Sequence, residues 1–224
     1  MKRATVLEKT TTPDGSTMEL VERDGHHVLR VNGRELMSTR HSYSEEQLGV
    51  VACQKLSQQA GARVLIGGLG LGFTLQAALE TLPQDAEVVV AELLPQVVDW
   101  NKNLAYPLAS ASLADSRTKI VIGDVANVMT QSEQPFDAIM LDADNQTTTM
   151  NTAGNTSLYH HHGIGKVWRK LKPGGCVVYW SPGEDPALAK QLASRGFVVE
   201  VQKVRRHPSG SGGHHFLLIG QRRA

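Results

Sequence analysis

The rhythm of apolar and polar positions changes near residue 43. Before it, Met18–Glu22 and His27–Val31 flank the turn Arg23-Asp24-Gly25-His26, and Val31-Asn32-Gly33-Arg34 is a second turn signal. Residues 1–40 therefore read as strands joined by turns. From Ser44 to Gln59 the period becomes helical, with Leu48, Val51, Ala52 and Leu56 on one face. Ser44 is placed to cap that helix, Glu45 and Glu46 stand in its first turn, and Gly61 ends it. After Gly61 strand and helix alternate. Strands are predicted at Arg63–Ile66, Glu87–Ala91, Lys119–Ile122, Phe136–Leu141 and Cys176–Trp180. Helices are predicted at Phe73–Leu82, Pro95–Asn103, Ala126–Thr130, Ile164–Leu171 and Pro186–Ser194. Two strands without a helix between them, Val198–Val204 and His215–Ile219, close the chain. Near-continuous apolar strands alternating with helices imply a parallel sheet buried on both faces. The expectation is an α/β fold: a mostly parallel seven-stranded sheet over 43–224 with an antiparallel terminal hairpin, preceded by a small β appendage at 1–42.

Composition narrows the classes. Hydrophobic residues make up 41% and charged residues 20% of 224, so a buried core is expected. Lys and Arg number 23 against 22 Asp and Glu, a net charge of +1, which gives no electrostatic case for nucleic acid or membrane as a partner. Cys53 and Cys176 stand far apart and read as reduced core thiols. The opening MKRATVLEKTTTPDG lacks the apolar stretch of a signal peptide, and no apolar run reaches the roughly 18 residues of a membrane span. A cytoplasmic protein is the expectation. His160-His161-His162 lacks metal-ligand spacing and reads as a solvated segment before a helix, so no metal is expected. Asp144–Ser157 is a polar stretch read as a loop that gates the crevice.

The strongest motif is Val64-Leu65-Ile66-Gly67-Gly68-Leu69-Gly70-Leu71-Gly72, between a strand and a helix. Glycines there let the backbone turn tightly and approach a ligand at the positive end of the next helix. A dinucleotide fingerprint would need glycine where Phe73 stands, and a P-loop would need lysine there. Gly68, Gly70 and Gly72 instead give G-x-G-x-G, the spacing of S-adenosylmethionine enzymes. Glu92, 20 residues after Gly72, ends the next strand and is placed to accept both ribose hydroxyls. Asp124 closes the third strand, where it can accept from an adenine amino group, and Asp142 closes the fourth. Open α/β sheets bind ligands outside the carboxyl ends of their strands, so these features converge on one crevice.

In order, Val64–Gly72, Glu92, Gly123-Asp124, Phe136–Asp142 and Leu171-Lys172-Pro173-Gly174-Gly175 resemble the class I methyltransferases, a Rossmann-like fold. Phe-Asp-Ala-Ile-Met-Leu-Asp followed by Leu-Lys-Pro-Gly-Gly, with the appendage at Met18–Met37, is similar to the spermidine-synthase branch. The resemblance implies Glu92 on the ribose, Asp124 and Val125 around adenine, and Asp142 orienting and deprotonating an attacking amine. Tyr43 loosely matches a substrate-side tyrosine, and Asp144 lies one residue before the family's second catalytic-loop acid. It also implies S-adenosylmethionine or its decarboxylated form as donor, methylthioadenosine or S-adenosylhomocysteine as product, and a homodimer.

Two positions depart from that pattern. Leu71 stands where the family's glycine loop has an aspartate that holds the donor, and Asn145 where the second acid helps bind a diamine. Loss of carboxylates weakens a site for a dicationic amine. Methylation of a small nucleophile, such as an amine, is therefore the leading expectation. The alternatives are aminopropyl transfer, intramolecular alkylation releasing methylthioadenosine, and non-catalytic nucleoside binding.

Overall fold

The computed structural model describes residues 4–142, 158–209 and 212–224. Two sheets organise it. β1 (Thr5–Thr11), β2 (Thr17–Arg23), β3 (His26–Val31) and β4 (Arg34–Ser38) form an antiparallel meander in sequence order. The second sheet holds β5 (Arg63–Gly67), β6 (Glu87–Glu92), β7 (Thr118–Ile122), β8 (Phe136–Asp142), β9 (Leu171–Ser181), β10 (Val198–Arg205) and β11 (His214–Gln221). Their order is β10-β11-β9-β8-β5-β6-β7. Strands β5 to β9 are parallel, while β11 runs antiparallel to both β9 and β10. From β5 the chain moves outward through β6 to β7, then crosses back to β8. Such a switch point opens a crevice at the strands' carboxyl ends.

The helices are α1 (Tyr43–Cys53), followed by a single 3₁₀ turn at Gln54–Leu56, then α2 (Phe73–Thr81), α3 (Pro95–Lys102), α4 (Ser110–Ala114), α5 (Val125–Gln131), α6 (His161–Lys170) and α7 (Pro186–Ser194). Alternate residues of the central strands feed two apolar clusters, one per face. Val64, Ile66, Val88, Val90, Ala138 and Met140 lie in one; Leu65, Val89, Ala91, Ile139 and Leu141 lie in the other. The first also takes Met18, Leu20, Leu29 and Val31 from the meander and Leu48 and Ala52 from α1. The meander thus packs into the same core as the parallel sheet.

Several boundaries differ from the sequence reading. Ser42, not Ser44, precedes the first turn of α1, and the helix tightens to 3₁₀ after Cys53, a common ending. α4 buries none of its residues, so it carried no apolar stripe to read. His161 and His162 belong to the first turn of α6 rather than preceding it. Lys172-Pro173-Gly174-Gly175 lies inside β9 as an irregularity: Leu171 faces Phe136, and pairing resumes with Cys176 facing Ala138. Lys172 Nζ reaches back 2.7 Å to buried Asp137 Oδ2, so the two motifs are joined by an ion pair at the foot of the sheet. Arg222 donates to the Trp168 carbonyl at 2.9 Å and lies over the Trp168 ring.

Candidate active site

The carboxyl ends of β5, β6, β7 and β8 form the floor of an open cleft. Its roof is the meander, through Met18, Leu29, Leu36 and Met37, and its side wall is α1, through Glu45 and Leu48. Gly49 sets that wall: a Cβ on it would stand 2.7 Å from the Thr74 carbonyl oxygen and 2.8 Å from Ala77 Cβ. Glycine therefore lets α1 lie directly on α2, and Thr74 Oγ1 donates to the Glu45 carbonyl at 3.1 Å. These contacts hold Glu45 beside the helix that the glycine loop opens.

Glu92 ends β6 and lines the cleft with 5% of its surface exposed. Its Oε2 accepts from the Leu69 N–H at 2.8 Å and its Oε1 from the Leu94 N–H at 2.9 Å. Burial raises its pKa, and the backbone N–H groups oppose that rise. The residue thus clamps the glycine loop from within, besides facing the place assigned to a ribose. Asn101, 1% exposed, supports the loop from outside by donating to the Gly70 carbonyl at 2.9 Å and the Val97 carbonyl at 2.8 Å. The roof is fastened to the loop as well, since the Leu71 N–H donates to Met37 Sδ at 3.2 Å.

Gly68 and Gly70 line the cleft; Gly72 does not. Gly72 precedes α2 at φ +85°, and a Cβ there would come 2.2 Å from Ala109 Cβ, so its role is close packing. Asp124 and Val125 line the cleft, and Asp124 also caps α5 by accepting from the Ala126 N–H at 2.8 Å. Asp142 lines the cleft at the end of β8, and its carbonyl accepts from Tyr159 Oη at 3.2 Å. Tyr43 is half-buried at the start of α1 and is not among the lining residues. Asp144, Asn145 and the loop that contains them lie outside the described residues. Leu71 is buried at 2% exposure and also stays out of the cleft. Trp180, at the end of the neighbouring β9, is not among the lining residues and packs its ring on His215 with the centroids 4.5 Å apart.

The family profile of the spermine/spermidine synthase domain matches residues 21–205. The chain belongs to that family. Among solved structures it is similar to "Spermidine Synthase from Thermotoga Maritima", with a TM-score of 0.72, 17% identity, and coverage of 97% of this chain and 72% of that one. It is also similar to "Spermidine Synthase in Complex with Transition State Analogue AdoDATO", with a TM-score of 0.71, 18% identity, and the same coverages. No curated protein matches the chain by sequence. At these identities the structural likeness establishes the fold, and it agrees with the Rossmann-like architecture read from the sequence.

Within this cleft, the sequence reading missed one ionisable residue. Glu45 was read with Glu46 as an ordinary first-turn acid. The structure separates them: Glu46 accepts from Ser42 Oγ at 2.6 Å, while Glu45 is 6% exposed and faces the cleft. A signal existed. Glu45 stands three residues before Leu48 and seven before Ala52, on the apolar face of its own helix.

Proposed function

We propose that this protein transfers an aminopropyl group from decarboxylated S-adenosylmethionine to a small amine, releasing methylthioadenosine. The observation that carries this reading is the charge of the cleft. Its four ionisable lining residues are Glu45, Glu92, Asp124 and Asp142, and no Lys, Arg or His stands among the described lining residues. Residues 143–157 add Asp144 and no basic side chain to the sequence. Such a site suits a donor that is cationic at sulfur and at its tail, and an acceptor that arrives as an ammonium. A donor that keeps its carboxylate would meet four acids and, among the described lining residues, no counter-ion. Family membership supports the same choice and favours it over the methyl transfer expected from Leu71 and Asn145. Leu71 itself offers no argument against it, because its side chain does not enter the cleft.

In this reading Gly68, Gly70, Glu92, Asp124 and Val125 hold the nucleoside. Alignment is most of the work, since the sulfonium already makes its attached carbons electrophilic. Asp142 orients the acceptor nitrogen and takes its proton. The nitrogen lone pair forms the new N–C bond as the C–S pair leaves on sulfur, giving a neutral thioether. The test is incubation with decarboxylated S-adenosylmethionine and a panel of short aliphatic amines, with products identified by mass spectrometry. Methylthioadenosine and an aminopropylated amine are expected, and Asp142→Asn should cut turnover by roughly 10²–10⁴ while donor affinity holds. Methylated product with S-adenosylmethionine, and none with the decarboxylated donor, would restore methyl transfer.

A further inference from the structure

Glu45 does more than add negative charge. Ser44 Oγ donates to Glu45 Oε2, and the same oxygen lies 2.9 Å from His215 Nδ1. A hydroxyl carries one hydrogen, so with that hydrogen on the carboxylate the His215 Nδ1–H must be the donor to Ser44. Two donors in series, His215 then Ser44, thus fix one oxygen of Glu45. Burial, with the positive charge of Arg206 nearby, holds the His215 pKa down to about 4, so the bond is made by the neutral ring with its hydrogen on Nδ1. Arg206 does not line the cleft, and it forms no ion pair within 4 Å among the described residues.

The other acids of the cleft have stated work. Both Glu92 oxygens accept backbone N–H groups, Asp124 caps α5, and Asp142 stands at the end of β8. Glu45 alone comes from the side wall, tied through Thr74 to the first turn of α2, directly after the glycine loop. Glu45 therefore stands beside the loop on which the proposed nucleoside would sit. Around Glu45 the lining is apolar, with Leu48, Met18 and Leu29, which suits methylenes ending in a charged head.

We propose that Glu45 holds the terminal ammonium of the donor's alkyl tail and thereby selects a decarboxylated donor over one that keeps its carboxylate. This rests on the aminopropyl-transfer reading above and names the residue that enforces it. Ser44 and His215 are positioning residues that aim the carboxylate. Burial raises the Glu45 pKa above the usual carboxylate value, against the Ser44 hydrogen bond, so an incoming ammonium finds a desolvated partner where attraction is strong.

Isothermal titration of the whole protein with three nucleosides tests it: decarboxylated S-adenosylmethionine, S-adenosylmethionine and the tail-less methylthioadenosine. Wild type should prefer the decarboxylated donor to S-adenosylmethionine by about tenfold or more. Glu45→Gln should weaken the decarboxylated donor by about tenfold, leave methylthioadenosine within about twofold, and erase most of the preference. Ser44→Ala, which keeps the acid but removes its orienting hydroxyl, should give a smaller loss confined to the decarboxylated donor. Methylthioadenosine binding certifies each variant as folded, and Ser44→Ala carries the test if Glu45→Gln does not fold. Equal losses for all three nucleosides, or an unchanged decarboxylated donor, would overturn the assignment. A wild type that ignores methylthioadenosine would overturn the nucleoside site itself, which is a separate failure.

Discussion

Replacing Glu92 with glutamine changes one oxygen into an NH₂ group and nothing else in shape. In the folded protein both oxygens face donors, the N–H groups of Leu69 at 2.8 Å and Leu94 at 2.9 Å. The amide keeps one acceptor but turns two hydrogens toward the other N–H, so one backbone donor loses its partner in a site only 5% exposed. Leaving a buried donor unsatisfied costs about 1–3 kcal/mol. The carboxylate's own desolvation is relieved by the change, so the expected net loss lies toward the lower end, about 1–2 kcal/mol. In a chain of this size that lowers Tm by about 2–8 °C. The loop should loosen too, since Leu69 is the residue between Gly68 and Gly70. Urea denaturation gives the stability term, and calorimetric titration of methylthioadenosine gives the binding term. Both should fall in Glu92→Gln. A variant as stable as wild type would mean that the group is already neutral in the folded protein, or that the clamp does not form. Either result would refute the argument.

Other consequences can be checked with single variants. Gly72→Ala should cost about 2–5 kcal/mol, combining left-handed strain with overpacking against Ala109, whereas Gly61→Ala, at φ +60° with open space around it, should cost only the strain, about 1–2 kcal/mol. A thermal melt that ranks the two equally would contradict the close approach. For His215 the folded pKa of about 4 lies below the ordinary 6.5, so the unfolded chain binds more protons between those values, and stability should fall as pH drops from about 6.5 toward 4. His215→Phe keeps a ring against Trp180 and removes that titration. Denaturation curves of wild type and variant should therefore converge as pH falls, and parallel pH profiles would show that His215 is not held neutral.

The order of strands and helices was legible because each carries its own period: apolar runs such as Val88–Ala91 bounded by turns, and the helical spacing of Val97, Val98 and Asn101 in α3. The site's floor was legible for the same reason. A parallel sheet sends every strand-end residue to one edge, so Gly68, Gly70, Glu92, Asp124 and Asp142 needed only their positions in the order to be brought together. What each of these groups bonds to was not legible. Gly72 looked like a third ligand contact because spacing cannot distinguish a glycine that admits a ligand from one that admits Ala109.

By itself, then, the sequence determined the repeating αβ pattern, the glycine turn and the carboxylates at the strand ends, because these depend on neighbours along the chain. The pairing of Asp137 with Lys172 across 35 residues, the laying of the meander over the glycine loop and the turning of Glu45 into the cleft were decided only by the tertiary structure. Each depends on which distant surfaces are buried against each other. For Glu45 the local options were open: the first turn of a helix favours an acid in water as readily as one in a wall. Packing of Gly49 on α2 chose between them by putting that face of α1 against the core, and so placed a fourth carboxylate in the cleft.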